Sequence, residues 1–313
     1  MEFTITNLFS NETLPGSNFQ GGHGQSFHIK VSDSLCIDEN KEIAFLFDVG
    51  ASSKKLLHNM HELGISPFST HTILLSHGHY DHTDALPGFL SQFAGDSKIK
   101  IICHPAALEK RFFKLAFFKL NLGFPRMKES LLNRIEFNFL DKPFEVFPNL
   151  WFSGEIEDRP YITGVEPKVF HSVLSDTKNK AKKITEVDPV RDDASLYLLA
   201  QKGIVILAGC GHAGILNIAR HAKRLLNVPI HAIIGGSHMV RYSTEEVEEV
   251  ASILKKEFGN PILYLNHCTN HLPLPLRNPT LIFKILKENL GEEKVLPCYV
   301  GSKFKFSSRE RKE

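Results

Sequence analysis

Metal-binding side chains are concentrated in residues 76–82, which read SHGHYDH and directly follow the apolar run TILL. Imidazole and carboxylate groups are common ligands of divalent cations. His77 and His79 stand two residues apart, so a turning backbone can aim both at one ion. Asp81 and His82 follow after a bend and can face a second ion. Two-metal hydrolytic sites hold their ions about 3.5–4 Å apart, so this compact spacing predicts a site for two divalent cations.

The chemistry that such a site supports is metal-assisted hydrolysis or group transfer. A bound cation lowers the pKa of water from 15.7 toward about 7, and a second ion can polarise the substrate or hold the leaving oxygen. We predict that Asp81 is both a ligand and the residue that orients the nucleophile, and that His238 stabilises developing charge. The alternative is a polar loop with chance histidines, since the chain has 16 of them. The complete His-x-His-x-Asp-His string after a strand favours the metal site.

The spacing of apolar residues predicts an α/β fold, because short apolar runs alternate with longer amphipathic stretches. Strands are predicted at 43–47, 72–75, 99–102, 195–200, 203–208, 230–234 and 261–265. Helices are predicted at 52–63, 104–120, 213–226, 243–257 and 278–289. No Pro-rich or Gly/Ser-rich linker divides the chain, so residues 1–313 are predicted to form one domain with a helical insertion around 104–135.

Several strings in the chain resemble the metallo-β-lactamase superfamily, over a span from about residue 7 to about residue 298. The resemblance rests on SHGHYDH at 76–82, AFLFDVG at 44–50, GCGHAGI at 209–215, IGGSH at 234–238, NHCT at 266–269 and GHGQS at 22–26. The last four are similar to a narrower branch, the dihydropterin-aminobenzene-phosphate synthase-like group, whose members are often called metal-dependent hydrolases. The resemblance implies a four-layer αβ/βα sandwich with the metals at one edge of two packed sheets.

The resemblance also implies metal ligands beyond the first string. His267 stands where the superfamily has its last metal-binding histidine, and Cys210 follows the strand after which a bridging aspartate is usual. Either the thiolate of Cys210 ligates the metal, or His212 takes over that role and Cys210 only packs. The alternative for His212 is a position at a helix N-terminus, where free amides suit an anionic group. His238 lies close after two glycines, and it is a candidate either for a metal ligand or for a substrate contact.

The predicted metal ligands are His77, His79, Asp81, His82, Cys210, His212 and His267. Two divalent ions are expected; zinc fits the imidazole-rich set best, and the carboxylates leave manganese or iron open. The superfamily's central histidine is missing from the corresponding stretch, VRDDASL. Asp192, Asp193, His104 and Glu155 are therefore open as substitutes, or as groups that hold a ligand in place. Asp48, which ends a predicted strand, is expected to support the histidine loop by hydrogen bonds or simply to form a turn.

A segment rich in phenylalanine and basic residues, EKRFFKLAFFKL at 109–120, is predicted to be helical. Its apolar stripe would consist of Phe113, Phe117 and Leu120. One interpretation is core packing under a solvated basic face. The other is a lid over the metals that offers a cationic side chain to a phosphate or carboxylate. The candidate cations are Arg111, Lys114 and Arg126.

The charge of the chain is nearly balanced, with 37 Lys+Arg against 35 Asp+Glu and a formal net charge of +2. This balance gives no reason to expect nucleic acid or a membrane as partner. The expected partner is a small anionic substrate, and the sequence leaves open whether the chain forms a homo-oligomer. The five cysteines include no Cys-x-x-Cys pair, which argues against a disulfide framework or a zinc ribbon. Because the N-terminus lacks a signal-peptide pattern and no apolar run approaches about 18 residues, we predict a cytoplasmic protein.

Two classes of function are open. The first is an enzyme, either a metal-dependent hydrolase or a synthase of the branch type. The resemblance implies a synthase that joins a pterin methyl diphosphate to an aminobenzene ribosyl phosphate. The second is a non-catalytic, metal-dependent ligand-binding protein, which the missing bridging aspartate and central histidine favour. A phosphodiesterase or nuclease is a weaker third interpretation, because no basic RNA-binding arm is evident beyond 110–126.

Overall fold

The computed structural model describes residues 1–32, 43–93, 95, 97–115, 118–177, 180–269 and 280–310. The strands are β1 (Glu2–Phe9), β2 (Ser26–Ser32), β3 (Ile43–Phe47), β4 (Thr72–Leu74), β5 (Ile99–Cys103), β6 (Lys110–Leu115), β7 (Phe118–Asn121), β8 (Ile135–Phe139), β9 (Phe144–Phe147), β10 (Leu150–Phe152), β11 (Val169–Thr177), β12 (Lys180–Val187), β13 (Ser195–Ala200), β14 (Gly203–Ala208), β15 (Ile230–Gly235), β16 (Ile262–Leu265), β17 (Val295–Pro297) and β18 (Lys303–Ser307). The α-helices are α1 (Ser53–Glu62), α2 (Tyr80–Thr83), α3 (Leu86–Leu90), α4 (Glu129–Leu132), α5 (Ile215–Leu226), α6 (Thr244–Glu257) and α7 (Thr280–Leu290).

Two seven-stranded mixed sheets form the centre of the fold. Their strand orders are β18-β1-β2-β3-β4-β5-β8 and β17-β16-β15-β14-β13-β10-β9. In the first sheet β3, β4, β5 and β8 are parallel, and in the second β14, β15, β16 and β17 are parallel. Parallel neighbours need a crossover connection, which here is often a helix such as α5 or α6. The parallel strands of each sheet therefore carry their loops at one common edge.

The central strands are buried on both faces and so divide their side chains between two cores. In β14, Val205 and Leu207 pack between the two sheets, whereas Ile204 and Ile206 pack against residues of α5, α6 and α7. A strand sends successive side chains to opposite faces, so each strand contributes to both cores. Because neither face meets solvent, such strands read as continuous apolar runs. The layers run helices, sheet, sheet, helices, which is the four-layer sandwich that the resemblance implied.

The residues with metal-binding potential follow the carboxyl ends of these parallel strands. Asp48 directly follows β3, and the loop of residues 76–82 begins one residue beyond β4. In the other sheet, Cys210 lies beyond β14, His238 beyond β15 and His267 in the loop after β16. The two sheets are packed so that these loops meet. Open parallel sheets commonly bind ligands beyond the carboxyl ends of their strands.

The predicted helix over 104–120 is wrong. A short 3₁₀ helix at Pro105–Leu108 is followed by the hairpin of β6 and β7, which pairs with β11 and β12 in a four-stranded sheet. The helical stripe therefore does not exist in that form: Phe113 pairs with Leu120 across the hairpin, and Phe117 lies outside the described residues. The sequence KRFFKL has apolar residues at spacings that fit a strand or a helix, and pairing with β11 selects the strand.

Two further expectations concern the membrane and the thiols. In the part of the chain that the structure describes, every helix is too short or too polar to cross a membrane. The described cysteines are all free thiols and all buried: Cys103, Cys210, Cys268 and Cys298. The fifth, Cys36, lies outside the described residues. The cytoplasmic location therefore stays a prediction.

Candidate metal centre

The first group of converging side chains consists of Asp81, His82, Cys210 and His267, all of them buried. One donor atom from each lies within 4.8 Å of the others. Cys210 Sγ is 3.1 Å from His82 Nε2 and 3.3 Å from His267 Nε2, and Asp81 Oδ2 is 3.2 Å from His267 Nε2. Ligands bound to one tetrahedral zinc stand about 3–4 Å from each other, as metal–ligand distances of about 2.0–2.3 Å require. The group fits such an ion.

A second group shares its thiol with the first. It consists of His77, Cys210 and His212, whose donor atoms also lie within 4.8 Å of one another. His79 adjoins this group, because its Nδ1 is 3.0 Å from His77 Nε2 and its ring centroid is 5.0 Å from that of His212. All seven predicted ligands are thus brought together at one edge of the sandwich. Cys210 lies at the centre, where it can contact both proposed ions.

Asp48 supports both groups from the end of β3. Its Oδ2 accepts a hydrogen bond from His82 Nδ1 at 2.7 Å, and its two oxygens accept the backbone N–H and the hydroxyl of Ser76 at 2.8 and 2.7 Å. Since the Ser76 hydroxyl donates to Asp48, its oxygen accepts from His77 Nδ1 at 2.9 Å. Both imidazoles are therefore held with Nε2 directed at the site, an arrangement that orients metal ligands. The expectation that Asp48 hydrogen-bonds the histidine loop is confirmed.

His212 is oriented by a backbone carbonyl. Its Nδ1 donates to the Gly164 carbonyl oxygen at 3.0 Å, and its buried Nε2 has no hydrogen-bond partner among the described residues. Burial, followed by the neighbouring His238 and His79, holds the pKa of His212 well below its usual value, so the ring is neutral. The amide of Ala213 donates to Asp193 Oδ2 at 2.7 Å. No side chain among the described residues hydrogen-bonds at Gly214, the N-cap of α5, so the alternative for His212, a helix N-terminus that suits an anionic group, stays open.

The charges of the site are set by burial and by mutual contact. Burial alone would raise the pKa of Asp81, but His82 and hydrogen bonds from His23 and His267 outweigh it and hold that pKa well below its usual value. Burial lowers the pKa of His82, yet the Asp48 and Asp81 carboxylates raise it overall, to about 9. Burial raises the pKa of the Cys210 thiol. A cation bound here would therefore displace protons from Cys210 and His82, as metal binding to thiols and imidazoles generally does.

Arg111 is not part of a lid over the metals, which corrects that interpretation. Its guanidinium is fully buried and donates from Nε to Asp188 and from Nη2 to Asp192, each at 2.5 Å. Asp192 also accepts the Gly78 backbone N–H at 2.8 Å, and Asp188 Oδ2 lies 3.8 Å from His79 Nε2. Asp192 thus fixes the backbone of the histidine loop, and Asp188 lies beside the ring of His79. Asp192 therefore supports ligands and belongs to neither ligand group.

Gly78 is required by this packing, and its replacement by alanine is expected to destabilise the fold. A Cβ at Gly78 would lie 1.9 Å from the Ala107 carbonyl oxygen and 2.7 Å from Arg111 Nη1. Overpacking of this kind costs about 1–3 kcal/mol, so urea denaturation of Gly78→Ala should show a loss of at least that size. Gly64→Ala is the control, because nothing lies within 4 Å there and only the positive φ is strained. Equal losses for the two variants would contradict the argument.

The other candidates for the missing histidine also belong to neither group. His104 Nδ1 accepts the Ala106 N–H at 3.1 Å and so caps the 3₁₀ helix Pro105–Leu108. Glu155 receives two hydrogen bonds from Arg191. Both residues follow strands, as expected, but at positions that the ligand groups do not include. Neither side chain replaces the central histidine of the superfamily.

His238 lies beside the second ligand group. Its ring centroid is 4.1 Å from that of His212, and its buried Nδ1 has no hydrogen-bond partner within the described part of the chain. Burial and the nearby His79 lower the pKa of His238 to about 3, so its ring is neutral. Its backbone is in the left-handed region, with φ of 48°. A neutral imidazole with a free ring nitrogen can donate to or accept from a bound substrate, and the predicted catalytic role stays a prediction.

Sequence reasoning misses several residues that contact the ligand groups, among them His23, Asn11 and Cys268. His23 Nε2 is 3.2 Å from Asp81 Oδ2, and Asn11 Oδ1 is 2.9 Å from His267 Nδ1. Cys268 Sγ donates to the Cys210 carbonyl oxygen at 3.0 Å. His23 and Cys268 belong to two of the branch-like strings, which is the signal that could have found them. Asn11 lies in a stretch without a recognisable pattern, and only the fold reveals its place.

Comparison with known proteins finds relatives that are named as enzymes. No model of a protein family matches the chain. Over 257 residues it is 28% identical to the 7,8-dihydropterin-6-methyl-4-(beta-D-ribofuranosyl)-aminobenzene-5'-phosphate synthase of Methanocaldococcus jannaschii, a match that covers 81% of this chain and 83% of that protein. A shorter stretch of 92 residues is 35% identical to ribonuclease Z of Lactobacillus gasseri, covering 29% of this chain and 28% of that protein. The synthase relative confirms the resemblance to the superfamily and to its branch.

Solved structures agree on the architecture. A crystal structure of a metal-dependent hydrolase of the β-lactamase superfamily covers 96% of this chain and 98% of its own, with a TM-score of 0.72 and 23% identity. The metallo-β-lactamase fold protein YhfI from Bacillus subtilis covers 97% of this chain and 100% of its own, with a TM-score of 0.50 and 12% identity. The prediction of a metallo-β-lactamase sandwich is confirmed.

Proposed function

We propose that the chain is a metal-dependent enzyme that uses two divalent cations to act on a small phosphorylated molecule. The observation that carries this proposal is the pair of ligand groups that share Cys210 at the edge of the sandwich. One ion would be held by Asp81, His82, His267 and Cys210. The other would be held by His77, His212 and Cys210, with His79 beside them. A site with two ions side by side is the arrangement of many hydrolytic and phosphoryl-transfer enzymes.

Zinc is the cation that fits this donor set best. Thiolate and imidazole ligands favour zinc, whereas manganese and iron sites are usually richer in oxygen ligands. The set here has one carboxylate, one shared thiol and several imidazoles. The buried Nε2 of His212 has no partner among the described residues, which suits a nitrogen that is directed at a metal. We therefore propose two zinc ions, with manganese or iron as the alternatives.

The protein's own groups would bind and orient the substrate around these ions. Two zinc ions, if bound by these residues, would supply an acidic water molecule and would neutralise charge on a phosphorylated substrate. Asp81, held from the side by His23, would orient the nucleophile. His238 would contact the substrate through its free ring nitrogen and stabilise the charge that develops there. Both are the catalytic roles predicted from the sequence.

The choice of a phosphorylated substrate rests on the synthase relative. That protein's name describes a product with a 5'-phosphate, and the similarity covers most of both chains. We propose a synthase reaction that joins a pterin methyl diphosphate to an aminobenzene ribosyl phosphate, with hydrolysis of a phosphorylated compound as the alternative. A cytoplasmic location and a possible homo-oligomer are part of the same proposal.

Turnover and metal content together test this function. Wild-type protein is expected to hold two zinc ions per chain by elemental analysis and to consume the pterin diphosphate or a phosphodiester, rather than a lactone, in a substrate panel. His267→Ala should lose one ion and reduce turnover by at least about 100-fold, more than loss of an outer partner typically costs. His61→Ala is the control, because its side chain is 87% exposed and belongs to neither ligand group. Protein that binds metal and ligands without turnover on any of these compounds would support the non-catalytic alternative.

A further inference from the structure

The side-chain amide of Asn11 lies between two imidazoles of the site. Its Oδ1 is 2.9 Å from His267 Nδ1, and its Nδ2 is 3.5 Å from His23 Nδ1. The two rings are neighbours, with centroids 4.8 Å apart. On the other side, the Nε2 atoms of both rings are 3.2 Å from Asp81 Oδ2. One amide thus contacts the outer nitrogen of each ring, and one carboxylate contacts the inner nitrogen of each.

The neighbours of His267 compete over which ring nitrogen carries its hydrogen. The Gly24 backbone N–H points at Nδ1 from 3.3 Å, and Asp81 Oδ2 accepts best from a hydrogen on Nε2. Both contacts favour hydrogen on Nε2, which would prevent that atom from binding a metal. Asn11 Oδ1, which is closer to Nδ1 than Gly24 is, can only accept, and so favours hydrogen on Nδ1. It is the contact that opposes the other two.

The same amide orientation determines the tautomer of His23. An amide that presents Oδ1 to His267 necessarily presents its N–H donors at the opposite corner, toward His23 Nδ1. His23 Nδ1 then accepts, and its hydrogen sits on Nε2, where it donates to the Asp81 carboxylate. The orientation of an amide is inferred from its partners, and here a single orientation satisfies a metal-binding His267 and a donating His23 together.

The backbone around His23 is built to hold this ring in place. A Cβ at Gly21 would lie 2.5 Å from the Asn11 carbonyl oxygen, and one at Gly24 would lie 1.9 Å from the Asp81 carbonyl oxygen. Gly22 donates its N–H to the Ser10 carbonyl oxygen at 2.9 Å. The glycine segment therefore lies tightly between the end of β1 and the histidine loop. His23 projects from this segment, with 23% of its side chain exposed at the opening of the site.

We propose that Asn11 is a positioning residue that sets complementary tautomers on His267 and His23, which makes one ring a metal ligand and the other a hydrogen-bond donor to Asp81. The inference rests on the proposed metal function, because the ligand role of His267 belongs to it. It adds to that function a residue outside the ligand groups, and it assigns His23 a role in holding the carboxylate ligand. Partners that fix the tautomer of a metal-binding histidine typically change metal affinity by about 10–100-fold.

Two substitutions of Asn11 separate the effects on the two rings. Asn11→Ala removes the acceptor from His267, so zinc affinity should fall by about 10–100-fold in competition with a chromophoric chelator. Asn11→Asp keeps an acceptor for His267, so its zinc affinity should stay within about threefold of wild type. The difference in zinc affinity between the two variants then measures the contribution of this acceptor. The carboxylate would accept from His23 Nδ1 while Asp81 still accepts from Nε2, so that ring should carry a hydrogen on both nitrogens. Asn18→Ala, at an exposed position in the same segment, is the control.

The ring forms can be measured directly by long-range ¹H–¹⁵N correlation spectra of zinc-loaded protein with ¹⁵N-labelled histidine. The His23→Gln spectrum assigns the His23 signals. Wild type should show hydrogen on His23 Nε2 only, and Asn11→Asp should show hydrogen on both ring nitrogens. Unchanged zinc affinity in Asn11→Ala, or equal losses in Asn11→Ala and Asn11→Asp, would overturn this inference alone. Wild-type protein that binds no zinc would overturn the proposed function and this inference with it.

Discussion

Replacement of Cys210 by alanine is expected to weaken the binding of both cations at once. Its sulfur belongs to both ligand groups and lies 3.1 Å from His82 Nε2 and 3.3 Å from His267 Nε2. The variant should therefore lose more affinity than the roughly 10–100-fold that an outer partner contributes. Elemental analysis after dialysis should find well under one ion per chain, and turnover should fall to background.

Two comparison variants make this result specific. Cys103→Ala removes another buried thiol, at the end of β5, and should retain its metal content. Cys210→Asp restores the carboxylate that the superfamily usually has, and should shift the metal preference from zinc toward manganese, since carboxylates suit harder cations. Full metal content in Cys210→Ala would show that Cys210 only packs, which is the alternative that the sequence leaves open.

Replacement of Arg111 by methionine is expected to cause the largest loss of stability. The guanidinium is fully buried between Asp188 and Asp192, and its removal leaves two buried carboxylates without their cation. Breaking a buried ion pair by removal of one partner typically costs about 3–5 kcal/mol. Urea denaturation should reveal a loss of this size. Metal affinity should fall as well, because Asp192 also fixes Gly78 and Asp188 lies beside His79.

Arg191→Met is the matched control for this experiment. Arg191 makes a two-pronged ion pair with Glu155, but 58% of its side chain is exposed. Exposed ion pairs contribute about 0–1 kcal/mol, so this variant should unfold almost as the wild type does. A loss in Arg111→Met no larger than that of Arg191→Met would mean that the buried network is not a support of the histidine loop.

The sequence predicts the buried parallel strands well and the peripheral ones poorly. The predicted bounds of β3, β13 and β14 agree with the structure, because strands covered on both faces read as continuous apolar runs. Strand β18, KFKFS, alternates between apolar and charged residues at the sheet's edge and is not among the predicted strands. The hairpin of β6 and β7 has short apolar spacings that fit both a strand and a helix, so pattern alone does not identify it.

The site shows a similar difference between residues that are close together in the sequence and residues that are far apart. The ligands of the histidine loop can be predicted from the sequence because they lie together within residues 77–82. Asn11 and Asp188 are far from that loop along the chain, and they reach the site only because the strands before and around them pair as they do. Asp192 shows the same limit, because the sequence leaves it open as a ligand or as a group that holds a ligand, and only its contacts with Arg111 and Gly78 identify it as a support.

The candidate ligands are drawn from both sheets, and this has a consequence for the order of events during synthesis. Asp81 and His82 are made early, whereas Cys210 and His267 belong to the second sheet and are made late. A cation held by this group cannot be fully coordinated until the chain has been translated past position 267. Full coordination of such an ion is therefore impossible for most of elongation, and an ion bound by all four groups would join the early and late parts of the polypeptide.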